Sequence, residues 1–138
     1  MRGDREGNLV LVADDNSFVR FLIRKWLGEG TEIVDVEKGA DVLDAYQRTK
    51  PDVLFLDIHL PGKSGKDILK EVLTLDPTAF VVMVSADSKK DNVVYSAQSG
   101  AKAFMAKPFT RDTLNRYFQL CPTIAKPDAM ALVGTSSN

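Results

Sequence analysis

The sequence predicts an α/β fold in which a parallel sheet lies between two layers of helices. Five short apolar runs alternate with five stretches of helical periodicity, and this alternation is typical of parallel strands joined by right-handed crossovers. Four of the runs are nearly continuous in apolar residues, as expected for strands that are covered on both faces. The chain has 138 residues, which is enough for one domain with its own hydrophobic core.

The five predicted strands correspond to the apolar runs. They are LVLVA (9–13), EIVDV (32–36), DVLFL (52–56), FVVMV (80–84) and KAFMA (102–106). The second run differs from the others because Glu32 and Asp35 interrupt it and Glu37 follows it. Charges on a strand discourage pairing with another chain, so the second run is predicted to be an edge strand.

Five amphipathic stretches follow the strands, each with apolar residues at three- and four-residue spacing. The first two cover residues 17–28 and 40–49, and Arg20 and Arg24 are expected on the surface of the first. Ser-x-x-Asp signals at 64–67 and 88–91 predict the starts of the third and fourth helices, and Thr110 is predicted to cap the fifth. The predicted inward residues are Val19, Leu22, Ile23 and Trp26 in the first helix, Val42, Leu43 and Tyr46 in the second, Ile68, Leu69, Val72 and Leu73 in the third, Val93, Val94 and Ala97 in the fourth, and Leu114, Tyr117 and Phe118 in the fifth.

The composition argues against several classes of function. Eighteen basic and 19 acidic residues give a net charge of −1, which argues against a general affinity for nucleic acid. Cys121 is the only cysteine, so no intramolecular disulfide can form and a reducing compartment is expected. The charged N-terminus has no signal-peptide segment, and the apolar run at 79–84 is far shorter than the roughly 18 residues of a membrane span. We therefore expect a cytoplasmic protein that does not insert into membranes.

Polar and charged side chains directly follow four of the five predicted strands. Asp14 and Asp15 follow the first strand, Asp57 the third, Ser85 the fourth and Lys107 the fifth. Ligands of open parallel sheets bind beyond the carboxyl ends of the strands, so these side chains are predicted to meet at one rim. Adjacent carboxylates repel one another, so this crowding predicts a positive charge among them.

Magnesium is the best candidate for that charge. Mg²⁺ takes oxygen ligands, commonly one or two carboxylates together with a phosphate, whereas the absence of His and Cys ligands argues against zinc. The ammonium group of Lys107 and the hydroxyl of Ser85 are suited to phosphoryl oxygens. Asp57 is the predicted nucleophile, because aspartate can form an acyl phosphate. The set predicts phosphoryl transfer, which depends mostly on positioning and charge neutralisation.

Four segments, VADDNS, LFLDIHLPGKSG, VVMVSAD and FMAKPF, resemble the signature segments of the response regulator receiver domain of bacterial two-component signalling. The resemblance covers residues 8 to about 120, and each segment lies at a predicted strand end. It implies a flavodoxin-like, doubly wound (βα)5 fold with strand order 2-1-3-4-5. It also implies a receiver domain over 8–121 and a flexible C-terminal tail over 122–138 with no effector domain.

The resemblance implies a role for each residue of the site. Asp14 and Asp15 correspond to the acidic pair that binds Mg²⁺, and the backbone carbonyl of His59 corresponds to a further metal ligand. Asp57 corresponds to the phosphoacceptor, which becomes a 4-aspartylphosphate and also binds the metal. Lys107 corresponds to the lysine that contacts the phosphoryl group.

Further positions correspond to the switch of this family. Ser85 and Phe104 correspond to a pair in which the hydroxyl moves to the phosphoryl group and the ring turns inward. Pro108 corresponds to a proline whose peptide bond is typically cis. His59 and Asp87 each lie two residues beyond a site residue, and we expect them to flank the phosphoryl group and to set the lifetime of the phosphorylated state.

The resemblance implies a stand-alone signalling switch that catalyses only its own phosphorylation and dephosphorylation. The donor would be a sensor histidine kinase or a histidine phosphotransfer protein. Output would come from binding a downstream protein or from passing the phosphoryl group onward. The surface of the fourth helix, fifth strand and fifth helix would change on activation and could form a homodimer.

Phe18 and Phe21 lie outside the inward stripe of the first helix, so their rings are expected to be partly exposed. In the family that this chain resembles, the first helix commonly faces the donor protein. Phe21 is therefore predicted to contribute to docking.

Alternative functions remain open at this point. The domain could be cut from a hybrid kinase or a larger regulator. An aspartate-nucleophile phosphatase has a similar arrangement, but it typically has a second Asp where this chain has His59. A flavin-binding module shares the topology, but the carboxylate rim would repel the flavin phosphate. The segment 62–64 resembles the end of a nucleotide-binding P-loop, but Asp57 stands where that motif needs a glycine, so this interpretation is rejected.

Each site residue also has a purely structural interpretation. Asp14 or Asp15 could cap the first helix, but a cap leaves the second carboxylate unexplained. His59 is more simply a solvated loop side chain with only its backbone in the site, and Phe104 could be a core residue. Lys107 considered alone would be a surface lysine. The functional interpretation is favoured because the carboxylates and the lysine are predicted to meet.

Overall fold

The structure is a computed structural model that describes residues 7–124. Its strands are β1 (Asn8–Ala13), β2 (Thr31–Val36), β3 (Val53–Asp57), β4 (Val81–Ser85) and β5 (Ala103–Ala106). Its α-helices are α1 (Ser17–Leu27), α2 (Val42–Thr49), α3 (Gly65–Leu75), α4 (Lys90–Gln98) and α5 (Arg111–Gln119), and a short 3₁₀ turn (Gly39–Asp41) precedes α2. The strands form one parallel sheet in the order β2-β1-β3-β4-β5, so the predicted flavodoxin-like architecture and strand order are confirmed.

The register of the sheet brings the carboxyl ends of its inner strands to one level. Ala13 of β1 lies opposite Leu56 of β3, and Asp57 lies opposite Val84 of β4. Ser85 in turn lies opposite Ala106 of β5. The residues that follow these positions therefore share one rim. β2 lies at the edge of the sheet, as its charges predicted.

The sheet separates two hydrophobic cores, which explains why the strand sequences are apolar at almost every position. Val10 and Val12 of β1 face the core beneath α1 and α5. Leu11 and Ala13 face the opposite core, beneath α2 and α3. Because successive strand side chains point to opposite faces, a strand covered on both sides needs apolar residues without alternation.

Two of the three predicted helix caps are present. The Ser64 side chain accepts a hydrogen bond from a backbone N–H of α3, and Thr110 does the same for α5. The predicted cap at Ser88 is wrong, because α4 begins two residues later and Lys89, at its N-cap position, makes no side-chain capping bond. The fourth helix therefore lacks the start signal that its sequence indicated.

The predicted inward face of α4 is also wrong. Val93 and Val94 are 36% and 40% exposed, whereas Asn92 and Ser96 are buried. The side chain of Asn92 donates to the backbone carbonyl of Asp87 (3.2 Å), and the Ser96 hydroxyl donates to the carbonyl of Asn92 (2.8 Å). Local hydrogen bonds satisfy these polar groups and allow them to be buried. The buried face of α4 is therefore polar.

The packed structure extends into the segment predicted to be a tail. The Thr123 hydroxyl donates to a carboxylate oxygen of Asp52 at 2.6 Å, and Ile124 is buried in the core beneath α1 and α5. Thr123 and Ile124 therefore pack on the domain. The rest of the predicted tail from residue 125 onward lies outside the described residues. Within residues 7–124, none of the helices combines the length and apolar character that crossing a bilayer requires.

Candidate functional site

Three carboxylates meet at the carboxyl ends of β1 and β3. Asp14, Asp15 and Asp57, here called the acidic cluster, each offer an oxygen within 4.8 Å of the others. Asp14 and Asp57 are buried, whereas Asp15 is exposed. Hard oxygen donors at this spacing, one of them open to solvent, suit a cation that keeps part of its water shell, such as Mg²⁺. The predicted meeting of these residues is confirmed.

Lys107 lies between the two buried carboxylates. Its Nζ atom is 2.7 Å from Oδ2 of Asp14 and 3.3 Å from Oδ2 of Asp57. Burial by itself would lower the pKa of Lys107, but hydrogen bonds and the charges of the two carboxylates outweigh it and raise the pKa. The lysine is therefore positively charged at neutral pH and supplies one positive charge at this rim. The Mg²⁺ that the sequence indicated stays a prediction.

The single ammonium group does not fully compensate the carboxylates. Burial, followed by repulsion from Asp14, raises the pKa of Asp57, although Lys107 and a backbone hydrogen bond from His59 act in the opposite direction. The ionised form of Asp57 is therefore less favourable here than in water. A further cation at the acidic cluster would relieve this imbalance.

The N-terminus of α1 is capped by Asn16, so the interpretation of Asp14 or Asp15 as a helix cap is wrong. The Asn16 side chain accepts hydrogen bonds from two backbone N–H groups of α1. The backbone N–H of Asn16 donates to Oδ1 of Asp14 at 2.8 Å. The cap residue thus frees the acidic pair from capping and also orients Asp14.

The loop after β3 fixes Asp57 through close backbone contacts. The backbone N–H of His59 donates to Oδ1 of Asp57 at 3.2 Å, and the N–H of Gly65 donates to the carbonyl of Ile58 at 2.7 Å. A Cβ atom at Gly65 would lie 2.8 Å from Cα of Ile58 and closer still to the carbonyl oxygen of Asp57. Sequence reasoning missed this role, and the sequence carries no signal for it, because the close approach of Gly65 to Asp57 and Ile58 is a tertiary contact.

Ser85, Asp87 and His59 lie beside the acidic cluster, at the end of β4 and in the loops after β4 and β3. Ser85 is buried at the end of β4, and its Oγ accepts a hydrogen bond from the backbone N–H of Asp87 at 3.0 Å. Nε2 of His59 lies 3.4 Å from Oδ2 of Asp87. Burial alone would raise the pKa of Asp87, but this contact and neighbouring hydrogen bonds lower it. The two side chains expected to flank a phosphoryl group therefore contact each other.

The remaining predicted positions lie on two sides of the site. Phe104 is partly buried against the core beneath α2 and α3, and it lines an open groove that Val93, Pro108 and Tyr117 also line. The peptide bond between Lys107 and Pro108 is cis, as the resemblance implied.

On α1, Phe18 and Phe21 are 63% and 53% exposed, and their rings stack with centroids 6.2 Å apart. The expectation that both rings lie outside the inward stripe is confirmed. The expectation for Arg20 is wrong, because its side chain is only 18% exposed and contacts the backbone of Asp14.

Comparison with known proteins gives one consistent family. The response regulator receiver domain model matches residues 10–119. Chemotaxis protein CheY of Thermotoga maritima is 32% identical over 105 residues, which cover 75% of this chain and 88% of the relative. CheY of Bacillus subtilis is 36% identical with the same coverage. The crystal structure of the receiver domain of NtrX from Brucella abortus has a TM-score of 0.76 and 31% identity, and the match covers 81% of this chain and 96% of that one. The chain therefore belongs to the response regulator receiver domain family of two-component systems.

Proposed function

We propose that this protein is a switch that accepts a phosphoryl group on Asp57 from a phosphohistidine of a sensor histidine kinase or a histidine phosphotransfer protein. The observation that carries the proposal is the placement of Asp57 beside two further carboxylates and a lysine ammonium group. Mg²⁺ held by the acidic cluster and the backbone carbonyl of His59 would supply positive charge for the incoming group. These residues fit the ion because they are oxygen donors on one rim.

Asp57, Lys107 and Ser85 have different roles in the proposed phosphoryl transfer. A carboxylate oxygen of Asp57 attacks phosphorus, and the bond between phosphorus and the donor imidazole nitrogen breaks with its electron pair returning to that nitrogen. Lys107 already lies 3.3 Å from a carboxylate oxygen of Asp57, so its ammonium group is within reach of a phosphoryl oxygen attached there. The Ser85 oxygen accepts its hydrogen bond from Asp87, which leaves the hydroxyl proton free to be donated to another phosphoryl oxygen.

The α4–β5–α5 surface is the proposed site of output. Ser85 would move toward the phosphoryl group and Phe104 would turn inward, away from the groove that it lines. Because the buried residues of α4 are the polar Asn92 and Ser96 and not an apolar stripe, we expect the position of α4 to be sensitive to such a shift. A downstream protein, or a second copy of the chain, would read the changed surface. That the domain acts alone stays a prediction.

The direct test is incubation of the purified protein with Mg²⁺ and acetyl phosphate, followed by intact-mass and peptide mass spectrometry. We expect one phosphoryl group, on Asp57, and none when EDTA removes the metal. Modification of another residue, or none with Mg²⁺ present, would contradict the proposal. Turnover of phosphate monoesters would favour the phosphatase alternative, and a yellow protein would favour the flavin alternative.

The contact between His59 and Asp87 predicts an effect on the lifetime of phosphorylated Asp57. We expect His59→Ala and Asp87→Ala each to speed hydrolysis several-fold, because the two contacting side chains would limit the approach of water to the acyl phosphate. The double variant should be no faster than the quicker single variant, since the two side chains act as a unit. The decay of phosphorylated protein is measured after removal of the donor. Asp91→Ala, which changes the charge by the same amount as Asp87→Ala, is the control. Unchanged decay in both single variants would refute this role.

The exposed aromatic pair on α1 predicts a docking contribution by Phe21. Phe21→Ala should slow transfer from the cognate phosphohistidine protein about tenfold, as expected for loss of an aromatic interface anchor. Phosphorylation by acetyl phosphate, which needs no docking, should be unchanged. Leu75→Ala removes another exposed apolar side chain, on α3, and is the matched control. A normal rate of transfer to the Phe21 variant would count against the docking role.

A further inference from the structure

Arg20 connects α1 to the backbone of the acidic cluster. Its Nη1 atom donates a hydrogen bond to the carbonyl oxygen of Asp14 at 2.8 Å. The side chain is largely buried for an arginine, at 18% exposed. The proposed metal-binding residue is therefore contacted by a cation that binds its main chain and leaves its carboxylate free for other partners.

The guanidinium group of Arg20 is fixed from its other side by the edge strand. Its Nε lies 3.8 Å from a carboxylate oxygen of Asp35, and its Nη2 lies 3.8 Å from one of Glu37. Arg24 also pairs with Asp35, at 3.0 Å. A planar guanidinium can serve several acceptors at fixed angles, which a lysine ammonium cannot do over the same span. The carboxylates of Asp35 in the edge strand and of Glu37 just after it thus hold Arg20 in the orientation that reaches Asp14.

Besides the carbonyl oxygen that Arg20 contacts, the other polar atoms of Asp14 also have partners. The backbone N–H donates to the carbonyl of Val36 (3.1 Å), Oδ1 accepts from the N–H of Asn16 (2.8 Å), and Oδ2 contacts Lys107 (2.7 Å). Among residues 7–124, only the contacts from Arg20 and Lys107 involve a partner side chain, and Lys107 belongs to the proposed phosphoryl-binding set. Arg20 is therefore the position at which the orientation of Asp14 can be altered without changing the ligands themselves.

We propose that Arg20 is a positioning residue that orients Asp14 and thereby raises the affinity of the acidic cluster for Mg²⁺. The inference rests on the proposed function. It predicts that removing the positive charge of Arg20 lowers the affinity for Mg²⁺, opposite to the effect expected from charge alone. If Arg20 acted only as a nearby positive charge, its removal would strengthen binding of a cation. A positioning role predicts the opposite, because loss of an outer hydrogen bond to a metal ligand commonly weakens metal binding by about tenfold or more.

The test compares Arg20→Met with Arg24→Met in the otherwise intact chain. Both variants lose one arginine that pairs with Asp35, but only Arg20 contacts Asp14. Mg²⁺ affinity is measured by calorimetric titration, and the denaturation midpoint is measured in EDTA to separate metal binding from folding. We expect about tenfold weaker binding in Arg20→Met and unchanged binding in Arg24→Met. Arg20→Lys keeps the positive charge but not the planar guanidinium group, and it should also bind Mg²⁺ more weakly.

The outcomes separate this inference from the proposed function. Equal or tighter Mg²⁺ binding by Arg20→Met would overturn the positioning role while leaving the phosphoacceptor proposal intact. If Arg20→Met does not fold, Arg20→Lys decides the question: weaker binding supports the role and wild-type binding overturns it. Absence of Mg²⁺ binding by the unmodified protein would overturn both.

Discussion

Replacing Asp57 by Asn is expected to abolish phosphorylation and, at the same time, to stabilise the domain in the absence of Mg²⁺. The amide cannot form the acyl phosphate, so incorporation from acetyl phosphate should be lost completely. The stabilisation follows from the raised pKa of Asp57, which burial and then the charge of Asp14 cause. A raised pKa means that the ionised carboxylate costs folding free energy at neutral pH, and that this cost disappears as the pH falls below the folded-state pKa.

In Asp57→Asn the remaining charges of the buried site are balanced. Lys107 keeps its contact with Asp14 at 2.7 Å and no longer has to serve two carboxylates. We expect a gain of about 1 kcal/mol in the free energy of unfolding, at the lower end of the range for replacement of unfavourable buried charges. Urea unfolding at pH 7 in EDTA measures the gain, and Mg²⁺ should reduce it by stabilising the unmodified protein.

Asp15→Asn is the matched control, because it removes an exposed carboxylate of the same cluster. It should give a smaller change in stability in EDTA than Asp57→Asn does. A phosphoryl group still found on the Asp57 variant would contradict the assignment of the phosphoacceptor. Destabilisation of that variant in EDTA would contradict the electrostatic description of the site.

Gly65→Ala is expected to destabilise the domain by about 2–3 kcal/mol and to impair phosphorylation. The new Cβ would lie 2.8 Å from Cα of Ile58 and would meet the backbone of Asp57 even more closely. These obstructing atoms belong to the main chain, which cannot rotate away as a flexible side chain would, so the cost is that of severe overpacking. Since alanine is intrinsically better than glycine in a helix by up to about 1 kcal/mol, the steric cost must exceed this gain.

The effect of Gly65→Ala is measured as the denaturation midpoint and as the rate of phosphorylation by acetyl phosphate. Gly7→Ala is the control, since a Cβ at Gly7 would meet no atom of residues 7–124 within 4 Å. Wild-type stability of the Gly65 variant would show that the loop after β3 can relax, and would exclude a close packing requirement beside Asp57.

Much of the fold follows from features that sequence reveals directly. The runs ending at Ala13, Leu56 and Val84 are apolar without alternation because both faces of the sheet are covered. Once parallel strands are accepted, the residues that follow them must share a rim, so the meeting of Asp14 with Asp57 needed no further information. Periodicity therefore predicts both the architecture and the location of the candidate site.

The errors lie where hydrogen bonds outweigh hydropathy. Asn92 and Ser96 take the buried face of α4 because each has a partner within one helical turn or in the preceding loop. Periodicity of apolar residues gives no sign of this and assigned the face to Val93 instead. Arg20 was placed on the surface because an arginine counts as polar in such a pattern, although its three acceptors lie at the carboxyl ends of two different strands. Contacts of this kind depend on tertiary structure.

The most direct test of the central claim is a magnesium titration of the ¹⁵N-labelled protein followed by two-dimensional NMR. The claim is that the acidic cluster, with Lys107 beside it, holds a divalent cation next to the phosphoacceptor. We predict saturable shifts of the amide signals of residues 14–16 and 57–59, with weaker binding in Asp15→Asn. Shifts that do not saturate, or that arise away from the ends of β1 and β3, would contradict the claim.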